Sequence, residues 1–266
     1  MTRSSVSLER QARARAPRLA AVLLLAAALP VSAVLADAKG FYIETINRST
    51  GVMGEGQSEE LSKTYIAEDK MAVVHEGADA TDMIMDPASG MVTFVNHAEK
   101  QYLPINVQSV MESMSGAAAE QMRNMMGEMT VKVEATDETK RIGDWNTRLY
   151  KVTKTGMMGV EQEVWATEEV GLDVERYTDM MSLTGPGGMM ANTPAGIAQR
   201  EEMSKIKGYP ILTKTKLQMM GTAMETETEV KVIREEVIPS SRFEIPEGYS
   251  LREMSMQMPP PGSAHP

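Results

Sequence analysis

The stretch from Gly208 to Ile238 constrains this chain most, because apolar and charged residues alternate there on both sides of a glycine. That period of two is the mark of a half-buried antiparallel strand pair. The arms read as Tyr209–Met220 and Ala223–Val237. Gly221-Thr222 reads as a type II′ turn, which needs φ > 0 at its first central position. This turn places Met219 opposite Met224, Leu217 opposite Thr226, Thr215 opposite Thr228, Thr213 opposite Val230 and Ile211 opposite Val232. It also sets Lys216 against Glu227 and Lys214 against Glu229, so opposite charges meet across the strands. A slip of one residue would turn the apolar row to water, which specifies the register.

Upstream the same period recurs in short runs. Phe41–Asn47, Leu61–Ala67, Lys70–His75, Asp82–Asp86, Met91–Val95 and Gln101-Tyr102-Leu103 read as strands of an antiparallel meander. Pro87-Ala88-Ser89-Gly90 is a turn between two of them, and Pro104 ends the run. The period then changes: Val107, Met111, Met114, Ala118, Met122, Met125 and Met129 fall on one stripe of a helix capped by Asn106. That helix is about 34 Å long at about 1.5 Å per residue, with a bend expected near Gly116. Strands resume at Thr130–Ala135, Asn146–Thr153 and Val160–Thr167. Asp173 caps a short helix whose shared face holds Val174, Tyr177 and Met181. Gly185-Pro186-Gly187-Gly188 is a loop without the ending of a phosphate cradle. A third helix starts at Thr193-Pro194 and stops at Gly208.

The ends of the chain differ from its body. Residues 1–36 carry Arg3, Arg10, Arg13, Arg15 and Arg18, then the apolar run Leu19–Leu29, then Pro30 and small residues. This is the order of a cleavable secretory signal, and the apolar run is too short for a comfortable membrane span. Cleavage is expected after Ala36, leaving residues 37–252 as one domain without stable membrane insertion. The formal charge of −10 includes five arginines and Glu9 from that segment, a net +4, so the mature chain carries −14. Such a charge argues against nucleic acid as a partner. There is no cysteine, hence no lipidated N-terminus, no disulfide and no thiolate chemistry. The signal and the absence of cysteine suit a periplasmic protein. Residues 253–266 are rich in proline and methionine and read as a disordered tail.

Few residues offer catalysis. His75, His97 and His265 lack metal-ligand spacing and read as surface histidines, while Glu225, Glu227 and Glu229 occupy the wet side of the hairpin. The expectation is a non-enzymatic protein with no cofactor. Methionine is the anomaly, with 25 residues against three phenylalanines and two tryptophans. It can serve as core filler, as the lining of an adaptable hydrophobic pocket, or as a soft-metal ligand. The pocket reading rests on the stripe from Val107 to Met129. The metal reading rests on Met254, Met256 and Met258, with Met157-Met158, Met189-Met190 and Met219-Met220, and suits Cu(I). Reversible oxidation of surface methionines would use the same residues.

The sequence ends its ordered part with Val237-Ile238-Pro239, then Phe243-Glu244-Ile245-Pro246-Glu247-Gly248-Tyr249. This Phe-x-Ile-Pro-x-Gly-Tyr ending, with Trp165-Ala166-Thr167 and Gly208-Tyr209-Pro210 before it, resembles an uncharacterised bacterial family numbered 4412 among the domains of unknown function. That family resembles the LolA-like periplasmic carriers. The resemblance implies a mainly β, α+β fold: a strongly curved antiparallel sheet, or open half-barrel, with about three helices on its open, concave side. It also implies a cavity for an acyl chain, lipid, apolar peptide or lipidated protein, bounded by the methionine stripe. A Cu(I)-binding protein and an envelope-stress or interaction module on the same fold are the alternatives.

The N-terminal segment gives a direct test of export. Sequencing of the protein recovered from the periplasm should start at Asp37 or within a few residues of it. Intact Met1 on a membrane-bound protein would overturn both cleavage and solubility.

Overall fold

The alternating segments pair in chain order into two antiparallel meanders. In the computed structural model the first comprises β1 (Ala38–Ser49), β2 (Ser58–Ala67), β3 (Lys70–His75), β4 (Thr81–Asp86), β5 (Met91–Asn96) and β6 (Gln101–Asn106). The second comprises β7 (Thr130–Ile142), β8 (Trp145–Thr155), β9 (Gly159–Thr167), β10 (Tyr209–Met219) and β11 (Thr222–Ile238). Pairing of β1 with β11 joins them into one curved, unclosed sheet of twelve strands, ordered β12-β6-β5-β4-β3-β2-β1-β11-β10-β9-β8-β7. The last strand, β12 (Ser250–Leu251), is short and runs parallel to β6. The structure describes residues 37–50, 57–77, 80–106, 109–110, 129–156, 159–182, 193–219 and 222–252.

The hairpin register differs from the one the turn chemistry predicted. Leu217 pairs with Met224, Lys216 with Glu225, Thr215 with Thr226, Lys214 with Glu227 and Thr213 with Thr228. The pairing is shifted by two residues, and Met219 faces Thr222 across positions 220 and 221. A shift of two preserves the side chain's face, so alternation cannot detect it. The repeated glutamates at 225, 227 and 229 preserve the charge pairing as well. Lys214 Nζ lies 3.5 Å from Glu227 Oε2 and Lys216 Nζ 3.3 Å from Glu225 Oε1.

Cross-strand register extends this charge pairing across seven strands. From β2 to β7 the successive partners are Glu59, Arg48, Glu227, Lys214, Glu163, Lys151 and Glu134, which alternate in sign at every step. Arg48 holds the densest point. Its Nε meets Glu59 Oε2 at 2.9 Å, and its Nη1 meets Glu227 Oε1 at 2.9 Å and Glu229 Oε2 at 3.0 Å. The hydrogen bond to Glu229 is the largest of the contacts that hold its guanidinium above the ordinary arginine pKa. Single exposed pairs contribute little, about 0–1 kcal/mol, but a like-charged neighbour at any step would be unfavourable.

The opposite face carries the helices. α1 (Val174–Ser182) begins as expected at Asp173, whose Oδ1 accepts the Arg176 N–H at 3.0 Å. Val174, Tyr177 and Met180 of α1 join a core of Ile43, Ile66, Met71, Met85, Val92 and Ile211. α2 (Pro194–Met203) has Thr193 as its N-cap, with Oγ1 accepting the Gly196 N–H at 3.1 Å. Met203 and Ile206 after it cover Val133, Val152 and Val164. This helix stops at Met203, with Ser204 as its cap, rather than running to Gly208. A third cluster, Tyr42, Tyr65, Ala72 and Ile238, lies on the helix-free side under Phe243 of the 3-10 turn Ser240–Phe243. Among the described residues there are two helices of more than one turn, and none is long and apolar enough to cross a membrane.

Two further expectations change. Pro104 does not end the first meander but sits inside β6, opposite Thr93. β12 pairs only with Gln101 and Tyr102, so the missing N–H of Pro104 falls where the sheet has no other strand to receive it. β7 continues past Ala135 to Ile142 through a register shift between Ala135 and Thr139.

The β7 edge is guarded by α2. The Val133 N–H donates to Glu202 Oε2 at 2.9 Å, which occupies a donor that a second chain could otherwise use. Lys205, bonded to Glu202 Oε1 at 2.5 Å, is the first cause that holds the carboxyl below its usual range, with Val133 second. A lowered folded pKa means that the contact is intact above the ordinary carboxylate range and is lost as pH falls through Glu202's lowered value. Glu202→Ala should therefore speed amide exchange at Val133 and increase concentration-dependent self-association in light scattering. Glu202→Gln, which keeps an acceptor oxygen, should stay close to wild type. Equal behaviour of all three proteins would show that the edge is protected by other means.

Candidate functional site

A cavity of about 340 Å³ opens on the helix-bearing face at the seam between the two meanders. Its floor comes from the side chains next along the strands from the apolar core. Thr45 and Asn47 of β1 follow Ile43, Thr213 of β10 follows Ile211, Ser62 and Thr64 of β2 precede Ile66, and Thr228 of β11 precedes Val230. Val73, Met83 and Val230 supply the apolar part, and Tyr177 and Met181 close it from α1. Among the described residues the lining includes no aspartate, glutamate, lysine or arginine. The volume lies in the range of small-molecule sites, about 300–1,000 Å³.

Hydrogen bonds order part of the floor. Thr228 Oγ1 donates to Asn47 Oδ1 at 3.0 Å, and Asn47 Nδ2 donates to Ser62 Oγ at 3.2 Å. These bonds fix the amide of Asn47 across the β1–β11 pairing, where Asn47 and Thr228 are direct partners. The rings of Tyr177 and Tyr209 pack at 4.9 Å between centroids, tilted by 59°. Burial pushes both phenols above the ordinary tyrosine pKa, so both stay neutral donors near pH 7.

The motif residues meet at this wall. Tyr209 pairs with Thr167 and Pro210 with Ala166, so the two internal motifs are cross-strand partners. A register shift between Pro210 and Leu212 follows, and both Tyr209 and Pro210 line the cavity. Gly208 has φ +89°, and a Cβ there would lie 2.0 Å from the Thr167 carbonyl oxygen. The C-terminal motif has a different part. Tyr249 OH lies 2.7 Å from His97 Nδ1, and His97 Nε2 lies 2.8 Å from Asp82 Oδ2. A carboxylate only accepts, so Nε2 is the donor to Asp82, and Nδ1 faces the tyrosine hydroxyl. The motif clasps Tyr249 to the β5–β6 turn and the start of β4, and β12 then adds to β6.

His75 and His97 are therefore held by partners from other segments. His75 lines the cavity, its Nδ1 lies 2.9 Å from the Thr81 carbonyl, and its N–H donates to Asp82 Oδ1 at 3.0 Å. His97 sits in the clasp. Spacing along the sequence gave no sign of either, since the partners are contributed by other strands. Among the described residues no three His, Asp or Glu side chains are grouped to hold a metal ion.

Of the methionine stripe, Val107, Met111, Met114, Ala118, Met122 and Met125 lie outside the described residues. Ser109 and Val110 are helical, and Asn106 Oδ1 accepts the Ser109 N–H at 2.9 Å, as a cap would. Met129 is half-buried just before β7, against Gly156. Met254, Met256 and Met258, the signal segment, the glycine loop at 185–188, Met157-Met158 and Met189-Met190 also lie outside them, as does Met220. The methionines that the structure does place at the cavity are Met83 and Met181.

An open antiparallel sheet with a neutral cavity under a short helix defines the class of scaffold. The chain belongs to the family described as Domain of unknown function (DUF4412), whose profile matches residues 57–249. The match ends on Tyr249, the last residue of the clasp. A search of curated proteins finds no match. Among solved structures, PNGF-II is similar at 13% identity and TM-score 0.35, over 80% of this chain and 30% of that one. The chain thus spans about 30% of the length of PNGF-II. A LolA superfamily protein from Nitrosomonas europaea is similar at 8% identity and TM-score 0.31, over 77% of this chain and 90% of that one. A DUF1329 family protein from Desulfovibrio piger is similar at 10% identity and TM-score 0.24, over 78% and 90%. At these scores the likenesses carry no weight for what the chain does.

The steric demand at Gly208 makes the motif testable. Gly208→Ala should cost about 2–5 kcal/mol in denaturant unfolding, from strained backbone together with the clash on Thr167. A loss below about 0.5 kcal/mol would show that the β9–β10 junction yields without cost.

Proposed function

We propose that this protein is a non-enzymatic, periplasmic binding protein that holds a molecule with an acyl or similarly apolar body on the helix-bearing face of its sheet. The observation that carries this reading is the cavity at the β1–β11 seam. It offers Val73, Met83, Val230 and Met181 for apolar contact, and the hydroxyl and amide groups of Thr45, Asn47, Ser62 and Thr228 for an uncharged polar portion. Fixed polar groups set orientation, while burial of apolar area supplies affinity at about 25 cal/mol per Å². The expected pocket was a methionine-lined slot. This cavity supports a ligand of mixed character, closed by Tyr177 and Met181 of α1. Export rests on the N-terminal segment alone.

Native mass spectrometry of mature protein purified from its own periplasm, paired with titration of a fluorescent fatty-acyl probe, tests this reading. Wild type should carry or take up one apolar molecule. Thr213→Phe places a ring over the cavity floor, and should weaken probe binding at least about tenfold while changing stability by less than about 1.5 kcal/mol. An empty protein that binds no probe would overturn the proposal.

A further inference from the structure

Lysines on β8, β10 and β11 divide sharply by face. Lys151, Lys214, Lys216 and Lys231 all stand among carboxylates on the helix-free face, either paired across strands or bonded to glutamate. Lys154 is the exception. It is two residues along β8 from buried Val152, and so shares the helix-bearing face. Its direct partners are Val131 on β7 and Val160 on β9, and Val160 in turn faces Leu217. Among the described residues Lys154 is half-buried in this apolar row and has no hydrogen-bond or ion-pair partner. Burial holds its ammonium below the ordinary lysine value.

A row of polar side chains leads from the cavity toward that ammonium and ends at Gln162 on β9, one strand short of it. Asn47 pairs with Thr228, and Thr228 pairs with Thr213. Two residues on, Thr215 Oγ1 accepts from Gln162 Nε2 at 3.0 Å, and Gln162 faces Val152, next to Lys154 on the same side of β8. The row crosses from β1 to β9 through β11 and β10, and β8 is the next strand. Four strand spacings of about 4.8 Å put β8 about 19 Å from β1, the reach of an extended amphiphile rather than of a compact solute. A half-buried cation without a partner is unfavourable unless something anionic completes it.

We infer that Lys154 receives the anionic head of the bound amphiphile, so that the ligand class is an acidic lipid carrying a carboxylate or a phosphate. This rests on the reading of the cavity as an apolar-ligand site. The row lays the molecule across the seam, with its body over Thr213 and Thr228 and its head at the β8 end.

Calorimetric titration of the mature protein with dodecanoate, dodecyl phosphate and dodecanol tests the assignment. Wild type should bind at least one of the two anions at least about tenfold more tightly than the alcohol. Which anion binds better identifies the head group. Lys154→Met should remove that preference, leaving dodecanol affinity and the unfolding midpoint unchanged, and Lys154→Arg should retain it. Equal binding of all three ligands to wild type, or an anion preference that survives Lys154→Met, would overturn the role of Lys154 and leave the cavity reading standing. Failure of wild type to bind any of the three would overturn the cavity reading itself.

Discussion

Everything in this sheet depends on the pairing of β1 with β11. Each meander is built from neighbours in sequence, and either one alone would end in an unpaired strand with one face uncovered. The joint is long, running from Ala38 opposite Ile238 to Ser49 opposite Thr226. It is made across the greatest sequence distance in the fold, so the chain loses substantial loop entropy before any contact forms there. Apolar contacts offset that loss on one side, with Ile43, Val230 and Ile233 in the main core. On the other side Arg48 reaches carboxylates of both flanking strands. The cavity lies on this joint, and so it exists only when the two halves are together.

Much of the architecture was legible in the residues. Alternation located nearly every strand, and the caps at Asp173 and Thr193 were identified by their side chains alone. What escaped was information that a single strand does not hold. The hairpin was misplaced by two residues because Thr226 and Thr228, and Glu225, Glu227 and Glu229, repeat with the period of the strand itself. Only the turn could break that degeneracy. Pro104 was read as a terminator because its tolerance depends on which side of β6 lacks a neighbour. The seven-residue charge row was invisible for the same reason, since its members are scattered between positions 48 and 227.

The site was legible in part. Tyr209 and Pro210 were singled out as motif residues, and both line the cavity. Tyr177 and Met181 were grouped correctly on one helix face. Thr213 and Thr228 were placed in the hairpin register but given no part in a site, because a threonine in a strand is unremarkable until its neighbours across the sheet are known. Composition drew the eye to methionine and away from these hydroxyls. Tyr249 shows the opposite case: a motif residue whose role is to fasten the chain's end to His97 rather than to meet a ligand.

The joint also has a consequence in time. Arg48 and its partner Glu227 are 179 residues apart, so β1 can gain β2 early but needs nearly the whole ordered chain before its second edge is covered. A fold whose contacts are this non-local assembles slowly, and its early intermediate carries a bare strand edge. The charged residues placed along that edge, Arg48 and Glu44 among them, discourage strangers from pairing with it in the interval. The same side chains that later tie the two halves together thus keep the first half solitary until its partner arrives.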